Sequence, residues 1–350
     1  MQRRGKFGTI IALMLSIAPP VAAAATPVTG VAGPADGPDL ADRLTGDLTP
    51  VHDPSIIKQG HTYYLFVTTS REDQPPGLIH IRTSKDLVGW TRTGAVFATM
   101  PAWAKREIPG TTGLWAPDIS YANGQYRLYY SVSTFGSNHS AIGLATTPTL
   151  DPAAPGYGWT DRGPVIVSPR GGDYNAIDPN AFTDADGKSW LAFGSFWTGL
   201  KLIAIDPTTG LRRMDDRTIH ALARRPAPGA IEASFLVRHG RYYYLFASDD
   251  FCCRGVASTY YTVVGRSSAV TGPYVDRDGR PMMDGHAQVV LQAPRGSSDR
   301  WRGPGHAAVL HDGARDYIVY HAYDARNKGR PTLRIQRLDW TSDGWPVAQP

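Results

Sequence analysis

Five segments of the sequence open at positions that could bring acid–base chemistry together. The opening positions are Asp53, Ala116, Asp178, Glu232 and His306. Carboxylates crowded in a partly dry site titrate at different pH values, so one can serve as an acid while another serves as a base. Such a pair is the equipment of glycoside hydrolysis, in which one carboxylic acid protonates the leaving oxygen and the other activates water or attacks carbon.

Aromatic residues beside these positions could bind the flat faces of sugar rings. Trp115 directly precedes the second opening position and is expected to face the pocket, and Phe135 follows the same segment. Phe196 and Trp197 follow the third segment in GSFWTG. The chain has 9 Trp and 17 Tyr, so most of the other aromatic residues are expected in the core.

Each opening position begins the same pattern: a short strand, a tight turn that contains glycine, and an aromatic strand that returns. The segments are HDPSIIKQGHTYYLF, WAPDISYANGQYRLYY, IDPNAFTDADGKSWLAF, IEASFLVRHGRYYYLF and GHAAVLHDGARDYIVY. The turn glycines are Gly60, Gly124, Gly187, Gly240 and Gly313. Three of them follow Asn or Asp, which favours two-residue hairpins because such turns need positive φ.

The opening positions are 63, 62, 54 and 74 residues apart, which suits four-stranded blades joined by long loops. From Val51 onward, short apolar and aromatic runs are punctuated by Gly, Pro, Asn and Asp, and no long segment keeps a helical period. The sequence therefore predicts an all-β fold, a five-bladed β-propeller whose inner strands bring the five positions to one axis. A β-sandwich with five unrelated hairpins is the alternative.

The N-terminal region is predicted to be a secretory signal. Residues 1–25 combine a basic start, an apolar run and small residues that suit cleavage near Ala25. The alternative, an uncleaved membrane anchor, would need a longer apolar run. Residues 26–49 are rich in Pro, Gly, Ala and Asp and are expected to form a flexible, loosely attached segment, whereas 50–350 form the catalytic propeller.

Composition and charge exclude several classes of protein. With 42% hydrophobic and 19% charged residues, the chain is globular rather than disordered. Its formal charge of +5 falls to +2 once the three basic residues of the signal are removed, and no Lys/Arg-rich stripe remains. We therefore expect no nucleic-acid partner and no membrane partner. The chain is expected to be an exported monomer, and the paired carboxylates indicate a polysaccharide substrate.

The two cysteines, Cys252 and Cys253, are adjacent, so no disulfide can join distant parts of the chain. A vicinal disulfide and two packed free thiols are both compatible with the sequence. Neither cysteine has other ligands at the spacing of a metal site.

These motifs together resemble glycoside hydrolase family 43, and within it the endo-1,5-α-L-arabinanases. The resemblance runs from about Val51 to Pro346. Its markers are HDPSII, LWAPDI, YNAIDPN, FGSFWTGL, IEASF, DDFCCRGVASTYYTVVGRS, GPGHAAV and YHAYDA. AIDPN with GSFW and FCCRG is specific to the arabinanase-like branch, whereas HDPS alone is shared with related xylosidases. The resemblance implies a five-bladed propeller and hydrolysis with inversion of configuration.

The resemblance also implies roles for single residues. Asp53 would be the general base and Glu232 the general acid, while Asp178 would raise the pKa of the acid and orient the substrate. The residues that match sugar subsites are Gly136, Asn175, Ala176, Ile177, Ser195, Phe196 and Trp197.

His306 resembles the family's histidine near a central metal, commonly calcium. Because calcium prefers oxygen ligands, water would have to complete a site that has one imidazole. The alternative is a channel histidine that is hydrogen-bonded to a carboxylate. Ala307 stands where many relatives carry a polar residue. The DADG segment, Asp184 to Gly187, is interpreted as a turn because it lacks the bidentate Glu of a calcium loop.

The leading hypothesis is a secreted enzyme that cleaves α-1,5-linked arabinan internally. The second is an exo-acting arabinofuranosidase or β-xylosidase of the same family, which would differ in having a closed pocket instead of an open groove. The third is a non-catalytic sugar-binding propeller, which would not need three carboxylates. A retaining furanosidase of the fructan-cleaving type is disfavoured because its hallmark motifs are absent.

Overall fold

The computed structural model describes residues 1–2, 40–294 and 299–349. Regular structure in these ranges is almost entirely β. The strands are β1 (Thr45–Gly46), β2 (Ser55–Gln59), β3 (Thr62–Val67), β4 (Leu78–Ser84), β5 (Gly89–Phe97), β6 (Trp115–Ala122), β7 (Gln125–Val132), β8 (Ser140–Thr147), β9 (Thr160–Ser168), β10 (Asn180–Thr183), β11 (Ser189–Phe193), β12 (Leu200–Ile205), β13 (His220–Ala223), β14 (Ile231–His239), β15 (Tyr242–Asp249), β16 (Tyr261–Ser267), β17 (Gln288–Leu291), β18 (Trp301–Asp312), β19 (Arg315–Asp324), β20 (Arg330–Trp340) and β21 (Pro346–Ala348). The helices are α1 (Leu40–Arg43) and α2 (Ala102–Glu107), with 3₁₀ turns at Gly255–Ala257, Met282–Asp284 and Ala325–Asn327.

The strands form five sheets, which are the blades of a five-bladed β-propeller. Blade 1 contains β2–β5, with β1 paired in parallel to its outer strand, β5. Blades 2 to 5 contain β6–β9, β10–β13, β14–β17 and β18–β21, each in sequential antiparallel order. The predicted all-β propeller is therefore confirmed, and the sandwich is excluded.

The predicted hairpins join the first two strands of every blade. All five turn glycines have positive φ, between 57° and 78°, as tight turns of this kind require. At the DADG turn the carboxylate of Asp184 accepts the backbone N–H groups of Asp186 and Lys188, each at 2.9 Å. The interpretation of this segment as a turn is confirmed.

Apolar cores fill the spaces between neighbouring blades. In β3, Tyr64 and Phe66 pack into the core shared with blade 2, whereas Leu65 and Val67 pack into the core shared with blade 5. Alternate side chains of a strand point to opposite faces, and here both faces are buried. This explains why the second strand of each repeat reads as an uninterrupted apolar and aromatic run.

Blade 5 closes against blade 1 through side chains and loops. Lys58 forms an ion pair with Asp312 at 2.7 Å, and the N–H of Val51 donates to the carbonyl of Pro331 at 2.9 Å. An apolar core that includes Ile56 of blade 1 and Leu333 of blade 5 lies between the two blades. The closure fixes the first and last blades around a common axis.

Residues 40–49 pack onto this closure. Leu40 and Leu44 are buried in the core between blades 5 and 1, and Asp42 forms an ion pair with Arg334 at 2.7 Å. The expectation of a loosely attached segment does not hold for these ten residues, because their leucines fill part of that core. Residues 3–39, which include almost all of the predicted signal, lie outside the described part of the chain. Neither helix in the described ranges is long and apolar enough to cross a membrane.

Candidate active site

The first strand of each blade is preceded or interrupted by a residue in the left-handed backbone region. These residues are Asp53, Ala116, Asp178, Ala233 and His306, with φ between 42° and 59°. Residues other than glycine rarely adopt this conformation, and they persist in it where the surrounding structure holds them, often at functional sites. In blade 4 the repeat is therefore one residue later than the sequence analysis placed it: Ala233, not Glu232, is equivalent to Asp53.

Hydrogen bonds between blades hold these backbone positions. The N–H of Asp178 donates to Oγ of Ser131 at 2.9 Å, and that of His306 donates to Oγ of Ser248 at 2.9 Å. Each acceptor lies in or just after the second strand of the preceding blade. In blade 3 this position is Gly194, which has no side chain, and the N–H of Ala233 donates instead to Oδ2 of Asp178 at 3.1 Å. Because Gly194 offers no side-chain acceptor, the Asp178 carboxylate accepts this N–H group and is held beside the backbone next to Glu232.

Asp53 is surrounded by hydrogen-bond donors. Its Oδ1 lies 2.8 Å from Nδ1 of His52 and 3.0 Å from Nδ1 of His306, and its Oδ2 accepts from the hydroxyl of Thr68 at 2.6 Å. Burial opposes the charge on Asp53, but the two imidazoles outweigh burial and hold the pKa of this carboxyl well below its usual range. In return, His306 keeps its proton: burial lowers its pKa, but Asp53 raises it further, to about 9. Asp53 is therefore held as a carboxylate, the form that can accept a proton.

Glu232 has the opposite electrostatic environment. Its two carboxyl oxygens accept from the hydroxyls of Ser195 at 2.8 Å and Tyr260 at 2.9 Å. Burial raises the pKa of Glu232 and outweighs these two hydrogen bonds, and the charge of Asp53 raises it further. A carboxyl group in this environment retains a proton to higher pH than an exposed one, as a general acid must.

The third carboxyl group of the site, that of Asp178, also has a raised pKa. Burial raises the pKa of Asp178, and the charges of Glu232 and Asp53 add to the shift, while His306 opposes it. Two buried carboxyl groups that repel each other cannot both ionise easily. The arrangement therefore favours protonation of at least one of Asp178 and Glu232 while Asp53 stays charged.

A cleft of about 650 Å³ opens beside Glu232. Its walls carry nearly all of the residues expected to contact sugar: Trp115, Phe135, Gly136, Asn175, Ile177, Ser195, Phe196 and Trp197. Phe135 and Trp197 are exposed there. A mainly apolar cleft with a few convergent polar groups is the usual form of a small-molecule or oligosaccharide site.

Comparison with known proteins agrees with this geometry. The model for Glycosyl hydrolases family 43 matches residues 49–346. The chain belongs to glycosyl hydrolase family 43. It is 44% identical to the extracellular exo-α-(1→5)-L-arabinofuranosidase ArbA of Cellvibrio japonicus, over 85% of each chain. It is 42% identical to the extracellular endo-α-(1→5)-L-arabinanase 1 of Bacillus subtilis, over 85% of this chain and 87% of that one. The solved structure of a GH43 endo-arabinanase from Bacillus licheniformis superposes with a TM-score of 0.78 at 43% identity, covering 87% of this chain and 99% of that one.

One expected subsite residue of this family 43 chain does not reach the cleft. Ala176 is fully buried in the core between blades 2 and 3, and its N–H donates to Oγ of Ser168 at 2.9 Å. The expectation was wrong because the neighbours Asn175 and Ile177 face the cleft and the chain between them turns inward.

The sequence analysis did not select several residues that the family 43 site contains. His52, Thr68 and Tyr260 contact the carboxylates directly, and Phe251 and Arg254 line the cleft. Of these, His52 stands inside HDPSII, and Phe251, Arg254 and Tyr260 stand inside DDFCCRGVASTYYTVVGRS. These motifs carried the resemblance and were the available signal. Thr68 lies outside the quoted motifs, and it reaches Asp53 because β2 and β3 pair as the hairpin of blade 1.

Cys252 and Cys253 form a vicinal disulfide that lines the same cleft. The choice between a disulfide and two thiols, which the sequence left open, is thereby resolved in favour of the disulfide. The sulfur of Cys253 lies 3.8 Å from Nε2 of His52.

The surroundings of His306 offer few ligands to calcium. Its Nδ1 faces Asp53, so only Nε2 could ligate a cation. Asp118, which also lines the narrow void beside His306, already accepts from Nδ2 of Asn180 at 3.0 Å and from the N–H of Ala181 at 2.8 Å. Within the described ranges, the one cluster of potential ligands with closely spaced donor atoms is His52, Asp53 and His321. These donors do not form the oxygen cage that calcium prefers.

Proposed function

We propose that this family 43 enzyme hydrolyses α-1,5-linked L-arabinan by internal cleavage, with inversion of configuration. The observation that carries the proposal is the opposite electrostatic environment of two carboxyl groups: the pKa of Asp53 is held low, whereas the pKa of Glu232, which lines the cleft, is raised. A site that only bound sugar would not need this difference.

In the proposed reaction, Asp53 and Glu232 each move one proton. Oδ2 of Asp53 takes a proton from a water molecule as the water oxygen bonds to the anomeric carbon, since Oδ1 already faces both imidazoles. Glu232 donates its proton to the glycosidic oxygen as the bond between that oxygen and the anomeric carbon breaks. Asp178, tied to the N–H of Ala233, would keep Glu232 protonated and orient the sugar. Because water attacks opposite the leaving group, the product has inverted configuration.

Internal cleavage is supported by the extent of the cleft. Residues of blades 2, 3 and 4 border it, and its 650 Å³ lies in the range that encloses a drug-sized ligand, which is larger than one pentose. The exposed rings of Phe135 and Trp197 could stack on separate sugars. The 42% identity to a Bacillus subtilis endo-arabinanase agrees with this proposal.

Exo-acting release of arabinose is the second candidate, because the Cellvibrio japonicus relative at 44% identity is named as an exo-acting enzyme. The two activities are separated by incubating the enzyme with debranched arabinan and resolving the early products by chromatography. Internal cleavage predicts a ladder of oligosaccharides while most substrate remains. Release of a single small product from the first time point would contradict it.

We also propose, on the family resemblance, that a cation such as calcium can sit on the axis. His306 would supply its one protein ligand through Nε2, after that nitrogen had released its proton to solvent, and water would supply the other ligands; none of the steps above passes through the cation. Metal analysis of the purified enzyme, together with activity before and after chelation, tests this. A metal-free preparation with full activity would refute the proposal.

Export is proposed from the signal-like residues 1–25, and it agrees with the two extracellular relatives. We further propose that the mature enzyme is a monomer that binds neither membrane nor nucleic acid. N-terminal sequencing of the protein from a culture medium should begin near residue 26, and light scattering should give the mass of one chain.

A further inference from the structure

A histidine–tyrosine network lies behind Asp53 and takes no part in the proposed reaction. The hydroxyl of Tyr323, at the end of β19, lies 2.8 Å from Nε2 of His52 and 3.3 Å from Nε2 of His321, and it accepts the N–H of Cys253 at 2.7 Å. His52 in turn places Nδ1 2.8 Å from Oδ1 of Asp53. Tyr323 and His321 are almost fully buried, so water cannot easily replace these contacts.

The direction of each hydrogen bond can be worked out, starting from His321. The backbone N–H of Asp53 donates to Nδ1 of His321 at 3.2 Å, so this nitrogen carries no proton. Burial holds the pKa of His321 well below its usual value, so the ring is neutral and its proton is on Nε2. His321 therefore donates to the oxygen of Tyr323.

The oxygen of Tyr323 then accepts two hydrogen bonds, from His321 and from Cys253. A phenol oxygen has two lone pairs and one proton, so both acceptor positions are filled and the proton remains to be donated. Nε2 of His52, at 2.8 Å, is the acceptor with the closest approach. The sulfur of Cys253 lies 3.8 Å from the same nitrogen, but in a disulfide it has no proton to give.

We propose that Tyr323 is a positioning residue that fixes His52 as the neutral tautomer with its proton on Nδ1. In this tautomer His52 must donate to Oδ1 of Asp53. Because His306 donates to the same oxygen and Thr68 to Oδ2, one lone pair of Oδ2 is left for water. The inference rests on the proposed role of Asp53 as the base, but the state of His52 can be measured without any activity. The stacking of His52 on His321, with ring centroids 3.9 Å apart, holds the ring plane that this geometry needs.

The test combines nitrogen NMR with kinetics of Tyr323→Phe. Tyr320→Phe is the matched control, because Tyr320 lies in the same strand, is also buried, and donates its hydroxyl to Oε1 of Gln336 at 2.8 Å. Long-range ¹H–¹⁵N spectra of the wild-type enzyme should show His52 with a protonated Nδ1 and an unprotonated Nε2. The signal is assigned by its absence from the spectrum of His52→Gln.

Tyr323→Phe should reduce kcat by about 10- to 100-fold with little change in KM, as loss of an orienting neighbour does elsewhere. The loss should be equal on arabinan and on a substrate with a good leaving group, since water activation is needed for both. Tyr320→Phe should lower Tm by a similar amount but keep wild-type kcat. A proton on Nε2 of His52 in the wild-type enzyme would overturn the proposal even if Tyr323→Phe failed to fold. Equal kcat for the two variants would overturn it as well. By contrast, full activity of Asp53→Asn would refute the base itself and leave the NMR result standing.

Discussion

Asp53 is a buried carboxyl group and Glu232 a partly buried one, and the neighbours of each group decide how readily it holds a proton. Two imidazoles and a hydroxyl face Asp53, whereas among the described residues the side chains that hydrogen-bond to Glu232 are the hydroxyls of Ser195 and Tyr260. Burial acts in the same direction on both groups, so the difference comes from the positive charge of His306 and the donors beside Asp53. The acid and base roles are thus assigned by position in the propeller and not by residue type.

This assignment predicts different substrate dependence for two amide variants. Glu232→Gln should lose at least about 100-fold in kcat on arabinan, because the amide cannot donate the proton that the leaving oxygen needs. It should retain more activity on an aryl α-1,5-arabinotrioside, whose phenolate leaves with less help. Asp53→Asn should lose similar activity on both substrates. Steady-state kinetics on the two substrates checks this, and an equal loss for Glu232→Gln on both would remove Glu232 as the acid.

The pH dependence should follow from the same charges. The reaction needs Asp53 ionised and Glu232 protonated, so the acidic limb of the kcat/KM profile should lie below the usual carboxyl range and the basic limb above it. His306→Gln removes the positive charge that lowers the pKa of Asp53. Its acidic limb should therefore move to higher pH. An acidic limb that is the same in both enzymes would show that His306 does not control the base.

At the scale of elements, the loop after β11 begins at Gly194, a position of the blade repeat, and leads directly to a residue that contacts the general acid. Gly194 replaces the polar residue of the other blades, has φ of 130°, and a Cβ there would lie 2.7 Å from the carbonyl oxygen of Gly199. The next residue, Ser195, donates to Glu232. The loop can therefore take this path only with glycine at position 194.

Gly194→Ala should destabilise the fold by about 1–3 kcal/mol and also lower kcat, because both the contact and the backbone angle are unfavourable. Gly187→Asn is the control: its φ of 78° suits asparagine, and a Cβ at this position would have no atom within 4 Å. Urea unfolding and activity assays of the two variants check the prediction. Equal stability of the two would mean that the loop can rearrange around a side chain.

The hairpins could be predicted from sequence because each turn needs glycine and each returning strand is buried on both faces. The exact repeat position in blade 4 could not be predicted, because alanine at position 233 carries no functional group. The carboxylate of the neighbouring residue, Glu232, was therefore aligned with Asp53 and Asp178 instead. Contacts such as that of His52 with Tyr323, 271 residues apart, are equally invisible in a single sequence. They depend on how blade 5 closes against blade 1.

At the scale of the whole molecule, ring closure includes the N-terminal residues 40–49. Leu44→Ala should reduce the free energy of unfolding by about 2 kcal/mol or more, because it leaves a cavity in the core between blades 5 and 1. Val347→Ala, at an exposed position of blade 5, should have little effect. Urea unfolding of both variants measures the difference, and a near-neutral Leu44→Ala would restore the picture of a loosely attached segment.

The central claim is that Asp53 activates water while Glu232 protonates the leaving oxygen, without a covalent intermediate. Proton NMR of the sugar first formed from debranched arabinan tests it most directly. Inverting enzymes release the opposite anomer from the one they cleave. We predict that the β-anomer appears first from the α-linked chain and then equilibrates. Initial appearance of the α-anomer would contradict the account, because it would make one of the carboxylates a nucleophile.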